Sequence, residues 1–346
     1  MKEFVFMCKD QSEPIIEKPK KPAEVYSLLN GSREQGSIYN TDSLIEQVDG
    51  NHPWFTKPHL LMALQSFEAG LNAGDLSGYR KIGQDHDISL GFWIRPLSPL
   101  EGAMPLILSL LNGFRCIVKT ETVEQPLYKS FFQLVENIFP GISEKMEFSD
   151  GPLGAVSGYV IAGERPNAIQ MSYFAKKPVF TDVVSENISI AILTGNETSA
   201  ELDALATDIC MYFGRSIHNV TELYVPETYN FSNLLSSMKR FDWYVNHSRY
   251  FNHYEYRKAA YLVSGEPFID NGFLLLRKTS SVSRFTGVLN YREFKNMSEL
   301  NGFSEGRVIY RANPDSAKGE RLFGSACTMP FRNSSGFLSF LNNLMD

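Results

Sequence analysis

From Ser189 to Phe231 the chain reads SIAILTGNETSAELDALATDICMYFGRSIHNVTELYVPETYNF, and this stretch decides the fold. Ile188 to Leu193 is a short apolar run with the composition of a buried strand. Ser199 to Phe213 then sets Leu202, Leu205, Ala206, Ile209 and Phe213 on one face of a helix, with Ser199 as a candidate N-cap. Val220 to Val225 forms a second strand, closed by Pro226. A strand, a helix of this length and another strand make the unit from which parallel sheets are built.

The same alternation extends in both directions. Downstream, helices are expected over Phe231 to Arg240 and over an aromatic stretch at 247–263, with a buried strand from Gly272 to Leu276. Upstream, Leu60, Leu61, Leu64, Phe67 and Leu71 recur at helical spacing between Pro58 and Asn72. Strands are expected at Ile88 to Ile94, Phe114 to Val118 and Gly158 to Ala162. Helices are expected at Leu100 to Leu111, at Pro126 to Phe139 and in a stretch ending at Phe174. The fold class is therefore α/β. Ligands in such sheets bind beyond the carboxyl ends of the strands, which directs attention to 95–99, 119–121 and 163–166. Residues 1–50 have weak periodicity and are expected to be irregular, with Lys18, Lys20 and Lys21 in a solvated loop.

With 346 residues, 43% of them hydrophobic, the chain has enough material for one large or two medium domains. A net charge of −6 argues against a nucleic-acid partner held on a basic surface. No segment has the ~20 consecutive apolar residues of a membrane span. The N-terminal MKEFVFMCKDQSE has too short an apolar run for a signal peptide, so a cytoplasmic location is expected. Cys8, Cys116, Cys210 and Cys327 are scattered without Cys-x-x-Cys spacing, which argues against a zinc module and against a disulfide framework. No metal is expected.

Taken with HSRYFNHYEYRKAAYLVSGEPFIDNGFLLLR at His247–Arg277, the opening stretch resembles the acyl-CoA reductases related to the fatty-acid reductase of bacterial bioluminescence, distant relatives of aldehyde dehydrogenases. Matching residues include Asn196-Glu197-Thr198, the Tyr212-Phe213-Gly214 turn, Asn219-Val220, Tyr224-Val225-Pro226, His247, Tyr250, Tyr254, Lys258 and Asp270-Asn271-Gly272. The likeness runs from Asn51-His52-Pro53-Trp54-Phe55-Thr56 to Phe337–Leu341 and is thin before about residue 180. It implies an aldehyde-dehydrogenase-like fold of two three-layer α/β domains. The expected divisions are an N-terminal extension (1–50), a nucleotide-binding-like domain (51–187), a thioester domain (188–320) and a C-terminal segment (321–346) that packs back or joins a dimer contact. It further implies a fatty acyl thioester or related small ligand, a homodimer or hetero-oligomer, and NADP or NAD as cofactor if the chain is active, otherwise none.

The centre of the signature is changed. After Tyr-Phe-Gly the family runs Leu-Gly-Cys-Arg-Asn-Val, with cysteine as nucleophile, whereas this chain has Arg215-Ser216-Ile217-His218-Asn219-Val220. Ile217 cannot take an acyl group as a thiolate does. Ser216 and Cys210 are the candidate substitutes. Neighbours in a strand face opposite sides, so a Ser216–His218 pair would stand one residue off the register of Ile217, and the place of Cys210 on the core side of its helix suits a structural thiol.

The expected cofactor positions are altered as well. Gly113 is expected to close a helix, leaving Lys119 at a strand end for an adenosine ribose. Pro99 and Gly163 match the family, but its Gly-Asn pair has become Pro96-Leu97, and a hydroxyl position has become Glu164. Ser185-Glu186-Asn187 lacks the family's two cations. Changes gathered at one chemical centre favour loss of the thioester-to-aldehyde reaction. The alternative is an active reductase with a relocated nucleophile.

Overall fold

The structure is a computed structural model that describes residues 45–46, 52–72, 87–136, 139, 141–183, 188–279, 284–300, 307–315, 320–327 and 334–345. The expectations for Lys18, Lys20, Lys21, Cys8 and Ser185-Glu186-Asn187 lie outside these residues.

Helix α1 (Lys57–Asn72) precedes the first sheet. That sheet contains β1 (Ser89–Arg95), β2 (Arg115–Lys119), β3 (Met146–Phe148), β4 (Gly158–Gly163) and β5 (Val179–Val183) in the order β3-β2-β1-β4-β5, every pair parallel. Helices α2 (Ala103–Leu111), α3 (Gln125–Glu136) and α4 (Ala168–Phe174) make the crossovers. Every residue of α2 is buried, so it is the central helix of this layer. Gly113 takes the left-handed φ of 86° that the turn from α2 into β2 requires.

The second sheet holds β6 (Ile188–Ile192), β7 (Glu222–Pro226), β8 (Ile269–Asp270), β9 (Leu275–Lys278), β10 (Val288–Phe294), β11 (Arg307–Arg311) and β12 (Arg321–Leu322). Its order is β12-β11-β6-β7-β10-β9-β8, parallel except for the β8–β9 edge pair. Helices α5 (Ser199–Cys210), α6 (Ser232–Met238) and α7 (Ser248–Ser264) belong to this half. The last helix, α8 (Ser334–Met345), returns to the first half, where Phe337 stacks edge-on to Phe180 at 4.9 Å. The architecture is two parallel α/β sheets, as the sequence leads one to expect.

Three local expectations need correction. Thr198, not Ser199, caps α5: its hydroxyl accepts from the Glu201 N–H while the Glu201 carboxylate takes the Thr198 N–H, so Ser199 is the first helical residue. The helix also stops at Cys210. A 3-10 turn follows in which Tyr212 and Phe213 both take positive φ, 56° and 59°. Bulky residues are rare there, and the strain is held by burial of both rings. Finally, Arg215–Val220 is not a strand. The Asn219 N–H bonds the Ser216 carbonyl at 3.1 Å, making a tight turn, and β7 begins only at Glu222.

Candidate functional site

The carboxyl ends of β1, β2 and β4 lie side by side. Trp93 is in register with Lys119, and Arg95 with Gly163, so the segments singled out in the sequence share one edge of the first sheet. The turn carrying Ile217 meets this edge. The residue that joins them is Glu101, which is not among the residues expected from the sequence.

Glu101 is 5% exposed. One of its oxygens accepts from the Leu97 N–H at 2.6 Å. The other accepts from the Ile217 N–H at 3.2 Å and from the Ser98 and Ser216 hydroxyls at 3.3 Å each. Burial raises the Glu101 carboxyl from the ordinary carboxylate range to about 7. The two backbone N–H donors and Arg284 pull it down, and Asp182 pushes it up. On the far side of the turn, Arg284 donates to the carbonyls of Ser216 and Gly214. The turn is thus held from the first sheet by a carboxylate and from the second by a guanidinium.

Each sequence-predicted residue has a definite place in this arrangement. Ile217 is 1% exposed. Ser216 is fully buried; its hydroxyl also receives a hydrogen bond from Ser98 at 3.1 Å and accepts from the His218 N–H at 3.2 Å. Ser216 and His218 therefore sit within one tight turn rather than along a strand. Cys210 is buried at the end of α5, where burial pushes its thiol up to about 12. A thiol so placed is not a nucleophile at neutral pH. Cys327 is a buried thiol that takes a 3.6 Å contact from the Asn219 amide.

On the first sheet, Lys119 reaches the Gly151 carbonyl at 2.6 Å. Pro99 lies in the buried turn between β1 and α2. Gly163 has a φ of 88°, and a Cβ there would lie 2.1 Å from the Arg95 carbonyl oxygen. This close approach is chain to chain, so the glycine is required by the packing of β4 on β1. Glu164 pairs with Arg95 at 3.4 Å. At this edge the Leu97 N–H, the Lys119 ammonium and the close approach at Gly163 are all engaged by the protein itself. Among the described residues no group of His, Cys, Asp and Glu has the arrangement of a metal site.

The residues that carry the resemblance, Asn219, Tyr250, Tyr254, Lys258 and Asp270, have structural partners, as does the neighbouring Tyr244. The fully buried Asn219 amide donates to the carbonyls of Asp208 and Met211 at 2.9 Å each. Tyr244 donates to the Cys210 carbonyl at 2.7 Å. Tyr250 donates to the Phe273 carbonyl at 2.9 Å. Asp270 receives Tyr254 at 2.6 Å and pairs with Lys258 at 2.8 Å. The Asn51–Thr56 motif also has a place: His52 accepts from the N–H groups of Trp54 and Phe55, and Trp54 packs against both halves of the chain. His59, on α1, is buried against Phe213 at 4.6 Å and bonds the Tyr244 hydroxyl at 3.2 Å; burial lowers it to about 3, so it is neutral.

The comparison with solved structures gives this arrangement its frame. A cysteine-to-alanine mutant of aldehyde dehydrogenase C from Pseudomonas syringae, in complex with NAD+ and octanal, superposes with a TM-score of 0.56. It is 12% identical, over 79% of this chain and 69% of that one. The P. syringae indole-3-acetaldehyde dehydrogenase AldA, a cysteine-to-alanine mutant in complex with NAD+ and IAA, matches with a TM-score of 0.51 and 14% identity. The match covers 80% of this chain and 76% of that one. The chain has the aldehyde-dehydrogenase fold. No family model matches the sequence, and no curated protein matches it. In this chain's version of that fold, the site at Glu101 and Ile217 lies between the two α/β sheets. Among the described residues no helix is long and apolar enough to cross a membrane.

Proposed function

We propose that this chain is a relative of the acyl-CoA reductases that no longer converts acyl thioesters to aldehydes. In this reading it acts as an acyl-binding or partner subunit, in a homodimer or a hetero-oligomer. The observation that carries the reading is the hydrogen bond from the Ile217 N–H to Glu101. At the position where the resemblance places a nucleophilic cysteine there is an aliphatic side chain. The adjoining N–H, a donor that an oxyanion would need, already serves an internal carboxylate.

The neighbouring groups do not replace what is missing. Acyl transfer needs a thiolate or an activated hydroxyl open to the substrate. Cys210 is sealed in the core of α5, and Ser216 is fully buried. For the cofactor, Pro96 has no N–H to offer and that of Leu97 is taken by Glu101. We therefore infer that NADP or NAD is not held here as in an active reductase. The domain limits at 51–187 and 188–320 belong to the same proposal, as does an acyl thioester or related small molecule as ligand.

One observation favours a second reading. The Ser216 hydroxyl lies 3.3 Å from Glu101, a carboxyl poised near 7, so the pair has the elements of a nucleophile and its base. Such a chain is an active reductase with a relocated nucleophile. Its ester intermediate is less electrophilic than a thioester and is a poor hydride acceptor.

The test is consumption of NADPH and NADH by the purified protein over a panel of acyl-CoAs, with aldehyde identified directly. No turnover from a folded protein is expected. Turnover abolished by Ser216→Ala or Cys210→Ala establishes the second reading.

A further inference from the structure

One guanidinium group and two imidazoles gather around Trp54, and two more guanidinium groups, Arg249 and Arg257, stand four residues before and after His253 on the same face of α7. Arg215 lies over the indole, its central carbon 3.8 Å from the ring centroid. His247 and His253 flank the same ring, each at 5.6 Å. Arg249 enters from the first turn of α7, and Arg257, two turns on, packs over Phe285 at 3.5 Å. These groups feel one another. His247 is lowered from its ordinary value by burial first, and by Arg249 and Arg215. His253 is lowered by burial, Arg215 and Arg257.

No acid among the described residues closes an ion pair with these guanidinium groups. Arg215, Arg249 and Arg257 form no ion pair there, although ion pairs elsewhere on the chain are many. The acids that Arg215 does feel are Glu101 and Glu164. Glu101 is spent on the Leu97 and Ile217 N–H groups, and Glu164 on Arg95. Burial lowers Arg215 to about 10, the sign of a cation held out of water at a cost. In a protein of net charge −6, a group of like charges in one place is not part of a general basic surface. Left unbalanced it destabilises the fold, and a bound anion reverses that.

The setting suits a ligand. Arg215 and His247 are partly buried and form a floor on Trp54, while Arg249 and His253 are exposed at the rim. Arg215 stands two residues before Ile217, in the position where the resembling family has leucine. The turn has therefore lost a nucleophile and gained a cation. Guanidinium groups present paired donors that match the oxygens of phosphate. With three permanent charges and the His253 imidazole, the cluster fits a multiply charged anion better than a single carboxylate.

The geometry points to a binding site for a phosphorylated ligand, a phosphate ester or diphosphate, held by Arg215 on Trp54 and by Arg249, His253 and Arg257 along the face of α7 that meets Trp54. The assignment rests on the reading of this chain as a ligand-binding relative and names the class of ligand. Capture of the ligand is electrostatic, with no bond made or broken.

The test titrates the full chain separately with inorganic pyrophosphate, ADP and coenzyme A, following heat and tryptophan fluorescence. Saturable binding is expected, and Arg215→Ala should weaken it by roughly tenfold or more, the loss of a charge-assisted hydrogen bond. Arg249→Ala, at an exposed position where unfolding is not a concern, should weaken it by about threefold. Tighter binding of ADP than of pyrophosphate identifies a nucleoside diphosphate, and tightest binding of coenzyme A identifies a phosphorylated acyl carrier. Equal affinities show that the diphosphate alone is recognised. The site is overturned if none of the three binds saturably, or if Arg215→Ala and Arg257→Ala bind as the unchanged protein does. A chain that binds these anions and also makes aldehyde keeps the site and loses the non-catalytic reading. The two proposals therefore fail separately.

Discussion

The turn after α5 and the loop after β1 face each other across the junction of the two sheets, yet the resemblance to the reductases holds at most positions only in the first. On the α5 side, Asn219, Tyr244 and Tyr250 satisfy main-chain carbonyls, while Asp208 accepts from the N–H groups of Gly324 and Ala326 at 2.6 and 2.9 Å. On the β1 side, Pro96, Leu97 and Glu164 replace small or polar residues, and the N–H of Leu97 is turned inward onto Glu101. On the proposed reading, a sequence signature is kept for its backbone partners after the chemistry it once framed has gone. Buried carbonyls need donors in an active or an inactive protein alike.

The harshest test of this contrast is Gly163→Ala. A methyl group 2.1 Å from the Arg95 carbonyl oxygen, at a φ of 88°, forces β4 away from β1. A loss of more than about 4 kcal/mol in urea unfolding, or no folded protein, is expected. If the variant folds normally, Gly163 is not a packing residue, and its match to the cofactor loop regains its functional meaning. Asn219→Ala comes next. It leaves the carbonyls of Asp208 and Met211 without their donor, a loss of about 3 kcal/mol by the same measurement.

Glu101→Gln sharpens the other side. The Glu101 carboxyl stands near 7 in the folded chain against an ordinary value of 4.5, so the folded state holds its proton more tightly. Its contribution is present in full below pH 4.5 and is lost as pH rises through 7. The change is on the order of 3 kcal/mol. Glu101→Gln should remove that part of the slope between about pH 5 and pH 8, measured by denaturant unfolding at each pH. An unchanged slope means that Glu101 does not hold its proton at neutral pH. Ile217→Cys has the smallest expected effect. Trimming a buried aliphatic side chain costs about 1 kcal/mol, and no aldehyde should form from acyl-CoA with NADPH. A thiol facing a buried carboxylate is discouraged from ionising. Aldehyde formation by this single variant would show that the cofactor edge still works.

Much of this is legible in the sequence for a plain reason. The apolar periods of β1, α2, β2, β4, α5 and β7 are long and local, and they alone set the alternation that builds two parallel sheets. What escapes is set by contacts distant in the chain. The short strands β3, β8 and β12 carry too few residues for a period. The helical reading of Ser199–Phe213 overruns because nothing local announces two successive aromatic residues at positive φ. Glu101 stands in view as a single acid in the apolar run Ser98-Pro99-Leu100-Glu101-Gly102-Ala103-Met104, and that isolation is the one signal that could have found it. Its partners, Ser216 and Ile217, are more than 110 residues away. Trp54 belongs to a motif that the sequence does show, but its meeting with Arg215 and His253 needs the fold.

The central claim is that the turn at Ile217 is closed by the chain's own carboxylate, and amide hydrogen exchange of the 213–220 segment tests it most directly. In the unchanged protein the Ile217 amide should exchange slowly, at a rate close to that of the β7 core. Glu101→Ala should release that amide selectively while the β7 amides stay protected. Rapid exchange at Ile217 in the unchanged protein would mean an open turn with its N–H available to a ligand, contradicting closure by Glu101.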